Sequence, residues 1–177
     1  WVPGVIGGSI KLDGFNDHIL IPVTLDVKYS VCFWIKTKDK KGTSDSANWN
    51  LPVGIFTGPP NTHAAFLAKG RLLFWSSGWK YRKTSRIYVD TGDWFHVVCS
   101  RDDQDRLKKG HYKLYLNGRL DSTETLGYTR SNSGPFLYLG RNHNGSKFYK
   151  GQIDDLRIYG RQINDNEVMA LYGLGKT

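Results

Sequence analysis

One stretch of this 177-residue chain interleaves flat rings with cations. Phe74, Trp75, Trp79 and Tyr81 stand among Lys80, Arg82, Lys83 and Arg86, and Trp49 lies in the polar segment before them. Aromatic faces stack on sugar rings, and a guanidinium or ammonium beside them engages sulfate, carboxylate or phosphate. A second cationic group gathers Arg101, Arg106, Lys108, Lys109 and Lys113; a third gathers Arg141, His143, Lys147 and Lys150. These residue types offer recognition of a hydroxyl-rich or anionic ligand. Each ring has an alternative, because half the side chains of an alternating strand face a core. Phe74, Trp79, Trp34 and Trp94 are core candidates on that count, while part of the set Trp49, Trp75, Trp79 and Tyr81 is expected at the surface.

Hydrolysis of such ligands needs paired carboxylates. Of 16 acids only Glu124 and Glu167 are glutamates, and they stand far apart. Asp102, Asp103 and Asp105 sit among Arg101, Arg106, Lys108 and Lys109, which reads as a solvated charged turn. No Gly-x-Ser-x-Gly elbow, Walker loop or His-Glu-x-x-His pattern occurs. The chain is therefore expected to be non-catalytic, with a glycan-active enzyme kept as an alternative.

The elements that must carry these residues are strands. Aromatics make up 14% of the chain, glycine is frequent, methionine occurs once, and the acids are nearly all Asp, which favours turns and caps over helix interiors. Apolar runs recur between turn signals at residues 9–12, 18–21, 29–37, 63–68, 71–76, 79–89, 94–101, 112–116, 136–140 and 152–159. Lys69-Gly70 and Asn117-Gly118 read as hairpin turns. One helix is expected near the end, with Asn164 and Glu167 as its capping box, Val168, Leu171 and Tyr172 as its apolar face, and Gly173 as its stop. The expectation is one all-β domain over residues 1–177, a two-sheet antiparallel jelly-roll sandwich with one short C-terminal helix. The formal charge of +9 suits nucleic acid, an anionic surface or acidic polysaccharide, or a solvated surface with no partner. No nucleic-acid motif and no apolar run of ~18 residues is present, so neither nucleic acid nor a helical membrane span is expected. A chain opening at Trp1 reads as a processed product or a fragment.

Several segments, taken in order, resemble the concanavalin A-like jelly-roll superfamily in its laminin G-like and pentraxin-like branch. They are Leu12-Asp13-Gly14, Tyr29-Ser-Val-Cys-Phe-Trp-Ile-Lys-Thr37, Trp94-Phe-His-Val-Val98, Lys113-Leu-Tyr-Leu-Asn-Gly118, Leu137-Tyr-Leu-Gly140 and Gly151-Gln-Ile-Asp-Asp-Leu-Arg-Ile-Tyr159. The resemblance implies a lectin-like or adhesive module. Pentraxins join the equivalent strands by a disulfide, which implies a Cys32–Cys99 bridge, although Cys99 is displaced by one residue from the pentraxin pattern; two separate buried thiols are the alternative. A bridge implies an oxidising compartment and secretion, and Asn144-Gly145-Ser146 is a glycosylation sequon. The superfamily also implies one structural Ca²⁺, held by the side chain and backbone of Asp154 with backbone oxygens from early loops, and with Asp13 as a further candidate ligand; alternatively Asp13 caps its own turn and Asp154 or Asp155 pairs with Arg157. The pentraxin double-calcium loop would fall at residues 141–150, which hold no acid. The ligand-binding set expected from all this is Trp49, Trp75, Trp79, Tyr81, Arg82, Lys83, Arg141, His143 and Lys147. The function expected is a secreted module binding glycans, above all anionic ones. A structural or protein-interaction domain of a matrix or adhesion protein is the alternative, and pentraxin rings leave oligomerisation open.

Overall fold

The computed structural model describes residues 1–39, 53–58, 63–76, 82–102, 110–126 and 134–176; at residues 53, 63, 64, 75, 76, 82, 83, 110 and 124–126 it describes backbone alone. The described strands are β1 (Val2–Pro3), β2 (Gly8–Asp13), β3 (Ile19–Ile21), β4 (Lys28–Lys36), β5 (Val53–Gly58), β6 (His63–Ala68), β7 (Arg71–Ser76), β8 (Arg82–Tyr88), β9 (Trp94–Asp102), β10 (Gly110–Leu116), β11 (Arg119–Leu126), β12 (Leu137–Leu139) and β13 (Lys150–Tyr159), followed by helix α1 (Asp165–Leu174). They form two antiparallel sheets, ordered β1-β2-β13-β4-β9-β10-β11 and β3-β12-β5-β6-β7-β8. The expected all-β sandwich with one terminal helix is what the chain adopts. Asn117 and Gly118, at φ 50° and 78°, make the β10–β11 turn that two successive positive φ values require. β1 and β5 have no counterpart among the expected strands, and α1 runs to Leu174 rather than stopping at Gly173.

Alternation builds the core. Val31, Phe33 and Ile35 of β4 and Phe95, Val97 and Cys99 of β9 face Ile55, Phe56, Leu67, Leu72 and Phe74 of the other sheet. The intervening residues of β4 and β9 are buried too, which a sandwich face open to water would not do. They are covered by α1 and the segment leading to it: Cys32, Val98 and Tyr115 pack with Ile163, Val168 and Leu171. Polar stitching holds this cover. The Ser30 hydroxyl donates to the Arg161 carbonyl at 2.9 Å and accepts the Ile163 N–H at 3.1 Å, and Tyr115 Oη donates to Asp165 at 2.7 Å. The capping box is present as expected, Asn164 Oδ1 accepting the Glu167 N–H at 3.0 Å and Glu167 accepting the Asn164 N–H at 2.8 Å.

Two expectations are corrected by this packing. Cys32 and Cys99 are free thiols. Their strands do pair, but Cys32 stands opposite Val98 and Cys99 opposite Val31. The one-residue displacement puts Cys99 in the sandwich interior and Cys32 on the outer face under α1, and side chains on opposite faces of a sheet cannot meet the disulfide geometry. Burial pushes the Cys32 thiol up to about 12 and the Cys99 thiol well above its ordinary value, so both remain protonated. Arg101, grouped with the surface cations by sequence, is fully buried and lies 5.4 Å from the Tyr112 ring. It occupies the same interior parity as Cys99 and Val97. Its neighbour Asp102 pairs with Lys28 at 3.0 Å.

Candidate functional site

The outer face of the six-stranded sheet carries a different surface. In β12, Leu137 and Leu139 are buried in the core, which turns Tyr138 outward. Strand register then runs a single row across the sheet: Leu20, Tyr138, Thr57, Ala64, Trp75 and Arg82 stand opposite one another in turn. Trp75 and Arg82 thus share a row with Tyr138, while Lys83 stands one row over, opposite Phe74. Trp49, Trp79 and Tyr81 lie outside the described residues, as do Arg106, Lys108 and Lys109.

The turn after β12 completes the site. The Arg141 guanidinium lies 4.3 Å from the Tyr138 ring centroid, and its Nε is buried without a hydrogen-bond partner among the described residues. The backbone beneath it is fixed. Thr57 Oγ1 donates to the Arg141 carbonyl at 2.9 Å, and the Asn142 N–H donates to the Ser146 carbonyl at 3.0 Å. Gly54 is required here, since a Cβ would overlap the Arg141 carbonyl oxygen. Tyr149, fully buried, anchors the far end of the turn in the core. His143 and Lys147 are partly buried in this turn and Asn144 is exposed at its tip, its Oδ1 accepting from Ser146 Oγ at 2.7 Å. Burial, then the Arg141 charge, hold the His143 imidazole below its ordinary value, so it is neutral near pH 7. The arrangement supplies an oriented guanidinium over a flat ring, with an imidazole and an ammonium on the same turn. Such a set stacks on a sugar face and donates to anionic or hydroxyl oxygens. Of the expected residues, the structure brings Arg141, His143 and Lys147 together and sets Trp75 and Arg82 in their sheet row. Tyr138 was missed; the Leu-Tyr-Leu alternation of β12 was the signal for it.

The other expected residues behave differently. Lys113 lies 3.9 Å from Asp165. Trp34 is buried under α1, and half-buried Trp94 has Lys36 Nζ 5.8 Å from its ring. Asp13 and Asp154, the expected calcium pair, do not converge. Asp13 stands opposite Lys150 and Asp154 opposite Trp34, four residues farther along β13. Asp13 Oδ1 accepts the Phe15, Asn16 and Asp17 N–H groups at 2.7, 3.2 and 3.4 Å, and the Phe15 contact leads in holding its carboxyl below the ordinary value. Asp154 accepts the Val5 and Ile6 N–H groups at 2.6 and 2.9 Å and that of Asp155 at 2.8 Å. Backbone amides occupy oxygens of both carboxylates, and no group of three acids, His or Cys forms among the described residues. The residues present do not fit a Ca²⁺ shared by Asp13 and Asp154. Asp155, not Asp154, pairs with Arg157, at 2.9 Å.

Comparison with known proteins places this geometry. A laminin G-type family description, that of the concanavalin A-like lectin/glucanases superfamily, matches residues 13–169. The chain belongs to that superfamily. Among solved structures of this concanavalin A-like fold, Domain 4 of AbnA, an extracellular arabinanase from Geobacillus stearothermophilus in complex with arabinotriose, superposes with a TM-score of 0.70 at 24% identity, over 97% of this chain and 79% of that one. A native heptameric SAP-like pentraxin from Limulus polyphemus superposes with a TM-score of 0.67 at 17% identity, over 93% of this chain and 81% of that one. The BEACH domain-containing protein lvsE of Dictyostelium discoideum is 23% identical over 168 residues. That match takes in 91% of this concanavalin A-like chain and spans only 7% of the length of lvsE.

Proposed function

We propose that this chain is a non-catalytic carbohydrate-binding module whose ligand lies on the outer face of the six-stranded sheet, and that the ligand is anionic. One observation carries the reading: the Arg141 guanidinium is held over the Tyr138 ring, its Nε without a partner among the described residues, and His143 and Lys147 share its turn. A neutral sugar would use the ring; sulfate or carboxylate groups would use the cations. The arabinotriose complex of the similar AbnA domain supports a sugar as ligand for this fold. Heparin-affinity chromatography tests it. The protein is expected to be retained in low salt and released by salt or free heparin, and Arg141→Ala and Lys147→Ala are expected to elute earlier. Flow-through of the folded protein in low salt would overturn the anionic ligand, and a silent glycan array would overturn the sugar.

The location we propose with this function is extracellular. Its support is the exposed Asn144 of the sequon, since two free thiols no longer argue for an oxidising compartment. Glycan mapping of Asn144 after secretory expression checks it, and an unmodified Asn144 removes that support. A structural or protein-interaction domain is the second reading. The observation favouring it is the match to a small part of the much longer lvsE. A folded protein silent on both column and array would leave that reading in place.

A further inference from the structure

The turn that holds Arg141 also holds the one Asn-x-Ser/Thr sequon of the chain, Asn144-Gly145-Ser146, with His143 and Lys147 on either side. Backbone bonds close the turn. The Gly145 N–H donates to the Asn142 carbonyl and the Asn142 N–H to the Ser146 carbonyl, both at 3.0 Å. The ends of such a turn lie within about 7 Å of each other. Arg141 packs against its tip. A Cβ on Gly145 would stand 3.0 Å from Arg141 Nη1, so the guanidinium over the Tyr138 ring also lies against residue 145. The cation and the sequon asparagine are thus neighbours.

Asn144 is presented for attachment. It is exposed, and its Oδ1 accepts both Ser146 Oγ, at 2.7 Å, and the Ser146 N–H, at 3.2 Å. Those bonds occupy the carbonyl oxygen. Nδ2, the atom that takes a glycan, has no partner among the described residues. The anchors of the turn lie on its inner side, where Thr57 and Tyr149 are fully buried. A glycan is bulky and stays at the surface, so one on Asn144 meets the solvent side of the turn and leaves those anchors alone.

We propose that glycosylation of Asn144 closes the Tyr138–Arg141 site, a regulation that rests on the anionic ligand and the extracellular location proposed above. The unmodified turn takes the ligand, and the glycosylated turn excludes it. In the modification, Asn144 Nδ2 forms a bond to the anomeric carbon of a diphosphate-linked oligosaccharide. The bond from that carbon to the diphosphate oxygen breaks, the diphosphate leaves with the electron pair, and the amide proton passes to a base. The first sugar is then rooted beside the guanidinium, in the space through which a ligand reaches Arg141 and Lys147. Ligand binding falls while the fold is unchanged.

The test compares the protein secreted from eukaryotic cells with Asn144→Gln and Ser146→Ala, which remove the sequon, and with the secreted protein trimmed to one N-acetylglucosamine by an endoglycosidase. Mass spectrometry reads the occupancy of Asn144, and titration calorimetry with a heparin oligosaccharide reads binding. The glycosylated protein is expected to bind about tenfold more weakly than either variant, and trimming to recover part of the loss. Urea midpoints of all forms are expected to coincide. An unmodified Asn144 in the secreted protein, or full recovery when only terminal acidic sugars are removed, would overturn the proposal. If the variants bind and the glycan changes nothing, the closure falls alone. If the folded variants are themselves silent toward heparin, the anionic ligand falls and the closure with it. Should one variant fail to fold by circular dichroism, the other decides.

Discussion

The two sheets turn unlike outer faces to their surroundings. On the seven-stranded sheet, α1 closes over Cys32, Trp34, His96 and Tyr115, and Tyr172 stacks on Trp34 at 5.6 Å and lies 6.0 Å from His96. On the six-stranded sheet, the outward ring is Tyr138, and what lies over it is a guanidinium. Both faces use aromatics and polar atoms. The first shuts its polar atoms in, leaving Trp34 Nε1 and His96 Nδ1 buried without partners among the described residues; the second holds Arg141 Nε beneath a partly exposed turn. Burial of unpartnered polar groups costs stability, so the first face must recover it through packing, whereas the second keeps Tyr138 and its turn partly exposed. A sealed face thus serves stability, and the open one is the face on which the proposed ligand would lie.

Substitution separates them, most sharply at Trp34. Trp34→Ala is expected to cost about 3–5 kcal/mol in urea denaturation, whereas Tyr138→Ala should stay within about 1 kcal/mol. A Tyr138→Ala loss as large as that of Trp34 would erase the distinction. The next effect is pH. Burial, then the Arg157 charge, lower the His96 pKa from 6.5 to about 4. The unfolded chain then binds a proton that the folded one refuses, so the stability this group contributes is present above pH 6.5 and is lost as pH falls toward 4. The loss should reach about 3 kcal/mol, and His96→Phe should flatten the profile over that window. His143, also held below its ordinary value by burial and then by the Arg141 charge, adds a loss of the same sign on acidification.

On the open face, Arg141→Ala is expected to weaken polyanion binding by about tenfold while stability changes by less than about 0.5 kcal/mol. Titration calorimetry with a heparin oligosaccharide and a urea curve read the two sides. Asn164→Ala, which removes the cap of α1, should cost about 1 kcal/mol of stability and leave polyanion binding intact. The smallest effect is none: urea curves with and without reductant should coincide, and denatured protein should titrate both cysteines as free thiols. A shift on reduction would return the bridge.

Much of this was legible along the chain because it is local. The Asn117-Gly118 turn, the Asn164–Glu167 capping box and the aromatic alternation of β4 depend on neighbours a few residues away. The superfamily was legible as well, through motifs that occur in order. β5 escaped because Gly54 breaks the strand pattern, and only the packed structure shows that the Arg141 carbonyl leaves no room for a Cβ there. The expected calcium pair was a list of acids without distances, and strand register separates Asp13 from Asp154.

By itself, then, the sequence determined most of the elements, their turns and caps, the superfamily, and the residue types able to hold an anionic ligand. The tertiary structure decided their parity and neighbours. It put Cys99 inside and Cys32 outside, buried Arg101 beside Tyr112, and aligned Tyr138 with Trp75 and Arg82 across the sheet. The reason is physical. Turns and caps are set by the dihedral and hydrogen-bonding preferences of adjacent residues. The face a strand residue occupies depends on pairing with strands distant in sequence, where a slip of one residue reverses inside and outside.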